Sequence, residues 1–279
     1  MSYIFTRQAT ENASGLALLG WRFFIAVIVM GALVAFHVVK VNLKGRSLKP
    51  LFAVAICSPC IYFIAETAGI NNTTASESGV LLACIPVVSL IASAVILRKK
   101  PGKAQIAGVL VTLIGIIITV FAVSSSSSLS AIGYLSLLIA VFSYALYSVF
   151  VEKAASFSEA EITFSMLAAG ASLFVVLALS EAAMNGNFAE LVKLPFTNRN
   201  FLSAILYQGI GCSILAFFLS NAAIARIGVN RTSSFIGVAT VVSIIAGALI
   251  LDEPFTLQQA IGAAVIIAGV YIANSRKPS

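Results

Sequence analysis

Three observations predict an all-α polytopic membrane protein built as two inverted five-helix repeats: scarce charge, a series of long apolar runs, and a second half that repeats the first. Of 279 residues, 60% are hydrophobic and only 10% charged, and the mean hydropathy is +1.05. A water-soluble domain carries roughly 25% charged residues to cover its surface. Lipid cannot satisfy a free backbone amide, so a spanning segment is a helix or part of a closed barrel. Unbroken apolar runs, rather than short alternating segments, select helices. The expected architecture has ten helices, with the first truncated and nine full spans.

A helix crosses the ~30 Å hydrocarbon core in about 20 residues. Runs of that length lie at approximately 16–39, 51–70, 75–97, 104–123, 131–151, 160–182, 201–225, 232–251 and 257–274. Ahead of them, Tyr3-Ile4-Phe5 is apolar but too short to span. The first run places Trp21 and Arg22 near its outer end, where arginine can hold an anion, pair with Glu66 or snorkel beside the tryptophan. His37, at the inner end, reads as an interface residue. In the second run, Ser58, Tyr62 and Glu66 recur every four residues and should share one helix face. Pro59 should kink that helix. A carboxylate at the bilayer centre costs at least ~2.5 kcal/mol unless paired or wet, which makes Glu66 the candidate for coupling to a proton or cation. Cys57-Ser58-Pro59-Cys60 lacks the βαβ context of a redox site, and all four cysteines read as small hydrophobes.

Glu77 opens the next run, where the helix dipole favours a carboxylate. Gly108 and Gly115 then permit close helix approach. The serine run Ser124–Ser128 is a flexible connector. The run 131–151 carries Ser136, Ser143, Tyr144, Tyr147 and Ser148 at three- and four-residue spacing. Such a hydroxyl stripe packs against protein or lines a wet cavity. In the run 201–225, Tyr207, Gln208, Cys212, Ser220 and Asn221 are comparable. The candidate substrate path or coupling set is therefore Glu66, Tyr62, Arg22, Ser58, Tyr144, Tyr147, Gln208 and Asn221.

Thirteen of the 17 cations fall in one set of alternating loops, from Lys40, Lys44, Arg46 and Lys49 through Arg98–Lys103 to Arg276 and Lys277. The positive-inside bias makes that side, and the C-terminus, cytoplasmic. Topology thus accounts for the net charge of +7, and no nucleic-acid partner is implied.

At an offset of 154, Pro86–Ile118 falls on Thr240–Ile272 without a gap, with 13 of 33 positions identical. Val87-Val88-Ser89 meets Val241-Val242-Ser243, and Gln105, Gly108 and Gly115 meet Gln259, Gly262 and Gly269. Five spans per repeat is an odd number, so the second copy is inverted, an architecture of secondary transporters with the site near the midplane. Ser220 is the counterpart of Glu66. Pairing Phe150 with Phe5 would start the first helix about 14 residues before Met1, which is why it is expected to be present only as its outer half.

The single histidine, the absence of H-E-x-x-H and the absence of a P-loop exclude an intramembrane metalloprotease or an ATP-driven pump, so no enzyme, metal or cofactor is expected. The segment Leu251-Asp252-Glu253-Pro254-Phe255-Thr256, followed by Gln259, Gly262 and Gly269, resembles the closing signature of the drug/metabolite transporter superfamily, EamA type. Trp21-Arg22-Phe23 and Thr73–Pro86 resemble its second and fourth helices. Thr240 stands where a proline is often found in that family, and Arg98-Lys99-Lys100-Pro101 where an acidic residue is common.

The resemblance implies two EamA-like repeats, residues 1–123 with an incomplete first helix and 131–274 inverted. It implies a bacterial cytoplasmic (plasma) membrane location and transport, often export, of an amino acid, metabolite or drug-like solute by alternating access. The partners are then a small-molecule substrate and the lipid bilayer. A non-transporting structural or partner membrane protein with a degenerate cavity is the alternative.

Overall fold

A computed structural model describes residues 13–73, 75–121, 130–250 and 256–275, and these are helical with no strand among them. The helices are α1 (Gly15–Ala35), α2 (Lys49–Ala55), α3 (Tyr62–Asn71), α4 (Ala75–Leu82), α5 (Ile85–Ile96), α6 (Lys103–Phe121) and α7 (Ala131–Lys153). After them come α8 (Glu159–Met184), α9 (Phe188–Thr197), α10 (Arg199–Leu206), α11 (Ala216–Ile227), α12 (Val229–Ser234), α13 (Ile236–Ile250) and α14 (Leu257–Asn274). Among the described residues, seven helical stretches are long and apolar enough to cross a membrane, and Lys103–Thr119 is a shorter apolar one. Tyr3–Phe5, Ser124–Ser128, Leu251–Phe255, Arg276, Lys277 and the side chain of Glu77 lie outside the described residues.

Caps and prolines set the boundaries. Ser14 accepts the Ala17 N–H at 3.0 Å and so caps α1, while its own hydroxyl donates to Glu181. A capping box opens α8, where Ser158 and Glu161 satisfy each other's backbone amides. Thr256 and Gln259 do the same for α14. The kink expected at Pro59 is present: a π-helical turn, Ile56–Ile61, joins α2 to α3, and Ser58 leaves helical geometry at φ −142°, ψ 124°. The helical period is broken there, so the four-residue spacing carries from Tyr62 to Glu66 but not back to Ser58.

A second π-helical stretch, Tyr207–Leu215, joins α10 to α11. The 154-residue offset places Ile56–Ile61 on residues 210–215, inside that stretch. The run 75–97 is also interrupted, at Ala83-Cys84 just ahead of Pro86, and the run beginning at 232 breaks at Phe235. The segment between α8 and α10 contains α9.

The described chain falls into two compact units. The first comprises the residues up to Cys60 together with Ala154–Ala222, and the second Ile61–Lys153 together with Ala223 onward. In the first, α1 packs along α8. Phe23 stacks on Phe174 with centroids 5.2 Å apart. Gly170 leaves room for the Phe23 ring, since a Cβ there would lie 2.6 Å from it. In the second, α3 and α5 pack on α7, and α6 pairs with α14. That last pair is antiparallel, because Gly108 lies on Gly269 and Ala273 while Gly115 lies on Gly262 and Ile266. Thr112 and Thr119 turn their hydroxyls back onto the Gly108 and Gly115 carbonyls, both at 2.9 Å, and the same oxygens lie over Gly269 and Gly262 of α14.

Candidate functional site

Each unit gathers its own share of the predicted residues. In the first, Arg22 on α1 is 7% exposed, and Gln208 on the π-helical stretch is 1% exposed. The Arg22 guanidinium donates from Nε to the Ser213 hydroxyl at 2.7 Å and from one terminal nitrogen to the Gln208 side-chain oxygen at 3.4 Å. Its charged plane also lies 5.4 Å from the centroid of Phe23. The wider turn of a π-helix moves successive side chains off their α-helical register, which brings Gln208 and Ser213, five apart, to one guanidinium. Gly209 allows that stretch to approach α1, as a Cβ there would stand 3.0 Å from the Arg22 carbonyl oxygen.

Asn221 on α11 is fully buried and donates to the Thr163 hydroxyl at 3.0 Å and towards the Met166 sulfur at 3.5 Å. Both partners belong to α8, so Asn221 braces α11 against α8. Ser58 is buried in the same unit, beside the cis Ser58–Pro59 bond.

In the second unit, the Tyr62 hydroxyl donates to Glu66 Oε1 at 2.7 Å across one turn of α3. Tyr144 of α7 meets the Tyr62 ring edge-on, with centroids 5.6 Å apart, and Tyr147 meets Tyr144 in the same way at 5.4 Å. Tyr147 is buried, whereas Tyr62, Glu66 and Tyr144 are half-buried. Four predicted residues therefore form one contiguous carboxylate and tyrosine cluster. A carboxylate that accepts from a tyrosine hydroxyl can also receive a cationic group, or a proton. Close approach of α3 and α7 is possible because Gly69 lies against Leu137, where a Cβ would stand 2.7 Å from its Cδ2.

Several polar contacts went unread in the sequence. Ser213 is one, although the repeat offset sets it opposite Pro59. Glu161 is another: it accepts the Asn42 N–H at 3.0 Å and is paired with Arg46 at 3.0 Å, while Arg46 lies 4.0 Å from the centroid of Phe157. Glu152, at the end of α7, accepts the Val229 N–H at 2.8 Å and pairs with Lys99. Cations read only as topological markers thus also tie down the loops that carry them. Trp21, read as an anchor, donates its indole N–H to the Leu191 carbonyl at 3.0 Å and holds α9.

The first unit contains a cavity of about 570 Å³ lined by Leu48, Leu51, Phe52, Cys60, Phe164 and Ser165, among others. None of the predicted path residues lines it.

The EamA-like transporter family profile matches the chain twice, over residues 1–121 and 131–275. An uncharacterized transporter, YcxC, of Bacillus subtilis (strain 168) is 29% identical over 276 residues, covering 98% of this chain and 88% of its own. A probable amino-acid metabolite efflux pump of Escherichia coli (strain K12) is 21% identical over 274 residues, covering 98% and 89%. A solved crystal structure superposes with a TM-score of 0.79 at 18% identity, covering 98% of this chain and 92% of the other, and so shares the fold. With nearly every residue inside one of the two profile matches, this apolar helical chain is an integral membrane protein that belongs to the EamA-like transporter family.

Proposed function

We propose that the chain is a secondary transporter that exports a small organic solute, of the amino acid, metabolite or drug-like class, by alternating access. The observation that carries the reading is the cluster of Tyr62, Glu66, Tyr144 and Tyr147, in which the hydroxyl of one of three edge-packed tyrosines donates to a carboxylate. An ionisable group kept at membrane depth is expensive and is characteristically part of a solute or ion pathway. In this reading Glu66 handles the coupling proton or cation, and Tyr62 orients its carboxylate. Arg22, buried against Ser213 and Gln208, is the basic counterpart in the other unit and suits the anionic end of a solute. Ser58, beside the break at Pro59, supplies a path hydroxyl in the first unit, and Asn221 braces α11 against α8 there. Family relatives named as efflux pumps support the direction.

The same reading assigns residues 1–123 and 131–274 to two inverted repeats, with the C-terminus and the basic loops in the cytoplasm of a bacterial cell. Exchange of Gly108 with Gly269 and of Gly115 with Gly262 across an antiparallel helix pair supports the inversion, because Gly108 and Gly262, and likewise Gly115 and Gly269, are repeat counterparts.

Proteoliposomes loaded with a radiolabelled amino-acid mixture test the proposal. Efflux should respond to an imposed pH or cation gradient, and Glu66→Gln should abolish that response. An unchanged rate with an unchanged pH dependence would remove Glu66 from the mechanism. Binding without turnover in the wild type would favour a non-transporting partner protein.

A further inference from the structure

Two helix interruptions in the second unit occur at related positions of the two sequence halves. The first separates α4 from α5 at Ala83-Cys84, and the second separates α12 from α13 at Phe235. The 154-residue offset carries 83–84 to 237–238, within three residues of the second break. Discontinuous membrane helices at matching places in two repeats are where transporters bind solutes and coupling ions, and here each discontinuity is a tight turn, with Cys84 at φ −74°, ψ −10° and Phe235 at φ −75°, ψ −9°. The half-helices α5 and α12 pack on each other.

Among the described residues, three buried side-chain atoms have no hydrogen-bond partner, and all three are oxygens on these two half-helices: Ser89 Oγ and Ser93 Oγ on α5, and Asn230 Oδ1 on α12. Ser89 and Ser93 are fully buried and, four residues apart, share one face. Their isolation is not the ordinary behaviour of a helical hydroxyl, which bonds to the carbonyl one turn back. In the same unit Thr112, Thr119, Ser148 and Thr232 all do so, at 2.9 to 3.0 Å. Ser89 and Ser93 make no such bond.

We propose that Ser89, Ser93 and Asn230 contribute oxygen ligands to a monovalent alkali-cation site between α5 and α12. The donor set decides the charge of the ion. Two hydroxyls and an amide oxygen are neutral, whereas calcium and magnesium sites draw on carboxylates. No group of three His, Cys, Asp or Glu able to hold a metal occurs among the described residues. A small alkali ion would satisfy the isolated lone pairs, with water completing the shell. The assignment stands whether or not Glu66 couples transport.

Thermal unfolding of the purified full chain in detergent, in NaCl, KCl or choline chloride at equal ionic strength, tests the assignment. The expected result is a midpoint that rises saturably with Na⁺, or with both Na⁺ and K⁺, relative to choline, because a ligand of the folded state stabilises it with occupancy. Ser89→Ala, Ser93→Ala and Asn230→Leu should each diminish the alkali-specific rise. The alanine variants remove buried, isolated hydroxyls and should fold at least as well as the wild type in choline, so loss of the rise is separable from misfolding. Equal midpoints in all three salts would overturn the proposal and leave water as the partner of these oxygens. A rise that both alanine variants retain in full would also overturn it, by placing the cation elsewhere.

Discussion

Gly115 and Gly262 meet backbone to backbone. A methyl group on Gly115 would stand 2.9 Å from the Gly262 carbonyl oxygen, and one on Gly262 would stand 2.8 Å from that of Gly115. Neither oxygen can swing aside as a side chain would, so contact between α6 and α14 depends on both positions lacking a Cβ.

Gly115→Ala should therefore push α6 and α14 apart and destabilise the protein by about 1–3 kcal/mol. Gly31, one turn before the C-terminal end of α1, provides the control, because a methyl group there would meet nothing within 4 Å. Gly31→Ala removes freedom from the unfolded chain without a clash and should stabilise by about 0.4–1 kcal/mol. Unfolding midpoints in detergent give both values, and shifts of the same sign would refute the contrast.

Arg22 should matter to stability as well as to transport. Arg22→Leu strands the buried Ser213 hydroxyl and removes a contact from Gln208, and should cost about 2 kcal/mol. Arg22→Lys should recover only part of this, since an ammonium cannot reproduce the planar fork that serves two partners at once. Because Arg22 and Ser213 share one hydrogen bond, adding Ser213→Ala to Arg22→Leu should cost less than the two single changes summed. Denaturant titration of the four variants measures the coupling.

Glu161 holds the α1–α2 connection through Asn42 and Arg46. Glu161→Gln should loosen that loop while leaving the helices in place. Loss of charge-assisted hydrogen bonds worth about 1.5 kcal/mol should speed tryptic cleavage between Lys40 and Lys49 roughly tenfold. Cleavage at the wild-type rate would show that the loop is held by other contacts.

Tyr62→Phe should preserve the ring contacts with Phe63 and Tyr144 but remove the hydroxyl that donates to Glu66. Transport in proteoliposomes should fall by about tenfold, the worth of one such hydrogen bond, and less than with Glu66→Gln. An unaltered unfolding midpoint would separate this effect from damage to the fold.

Much of this organisation was legible in the residues. Pro59 announced the break between α2 and α3 because a ring nitrogen cannot donate within a helix. The glycines at a fixed offset marked both helices as places of close approach, but not that α6 and α14 approach each other. The Tyr207–Leu215 distortion was hidden, since no proline marks it, and with it the convergence of Gln208 and Ser213 on Arg22. A lone serine in an apolar run has no distinguishing local signal; only its position opposite Pro59 in the repeat singles out Ser213. The pairing of Arg46 with Glu161 spans 115 residues and depends on tertiary placement, which periodicity does not encode. Ser58 failed to join Tyr62 and Glu66 for the reason that made Pro59 readable: a kink resets the register on which face arguments rely.

The glycine seam has a consequence for how the two halves can change. Each helix presents to its neighbour the surface that its own duplicate presents in return, so either could seat against an antiparallel copy of itself. Accommodation of a bulkier residue on one side must come from the other half of the chain, about 150 residues away. The duplicated segments are thus bound to vary together at this seam, whatever freedom they have to diverge around Glu66 and Ser220.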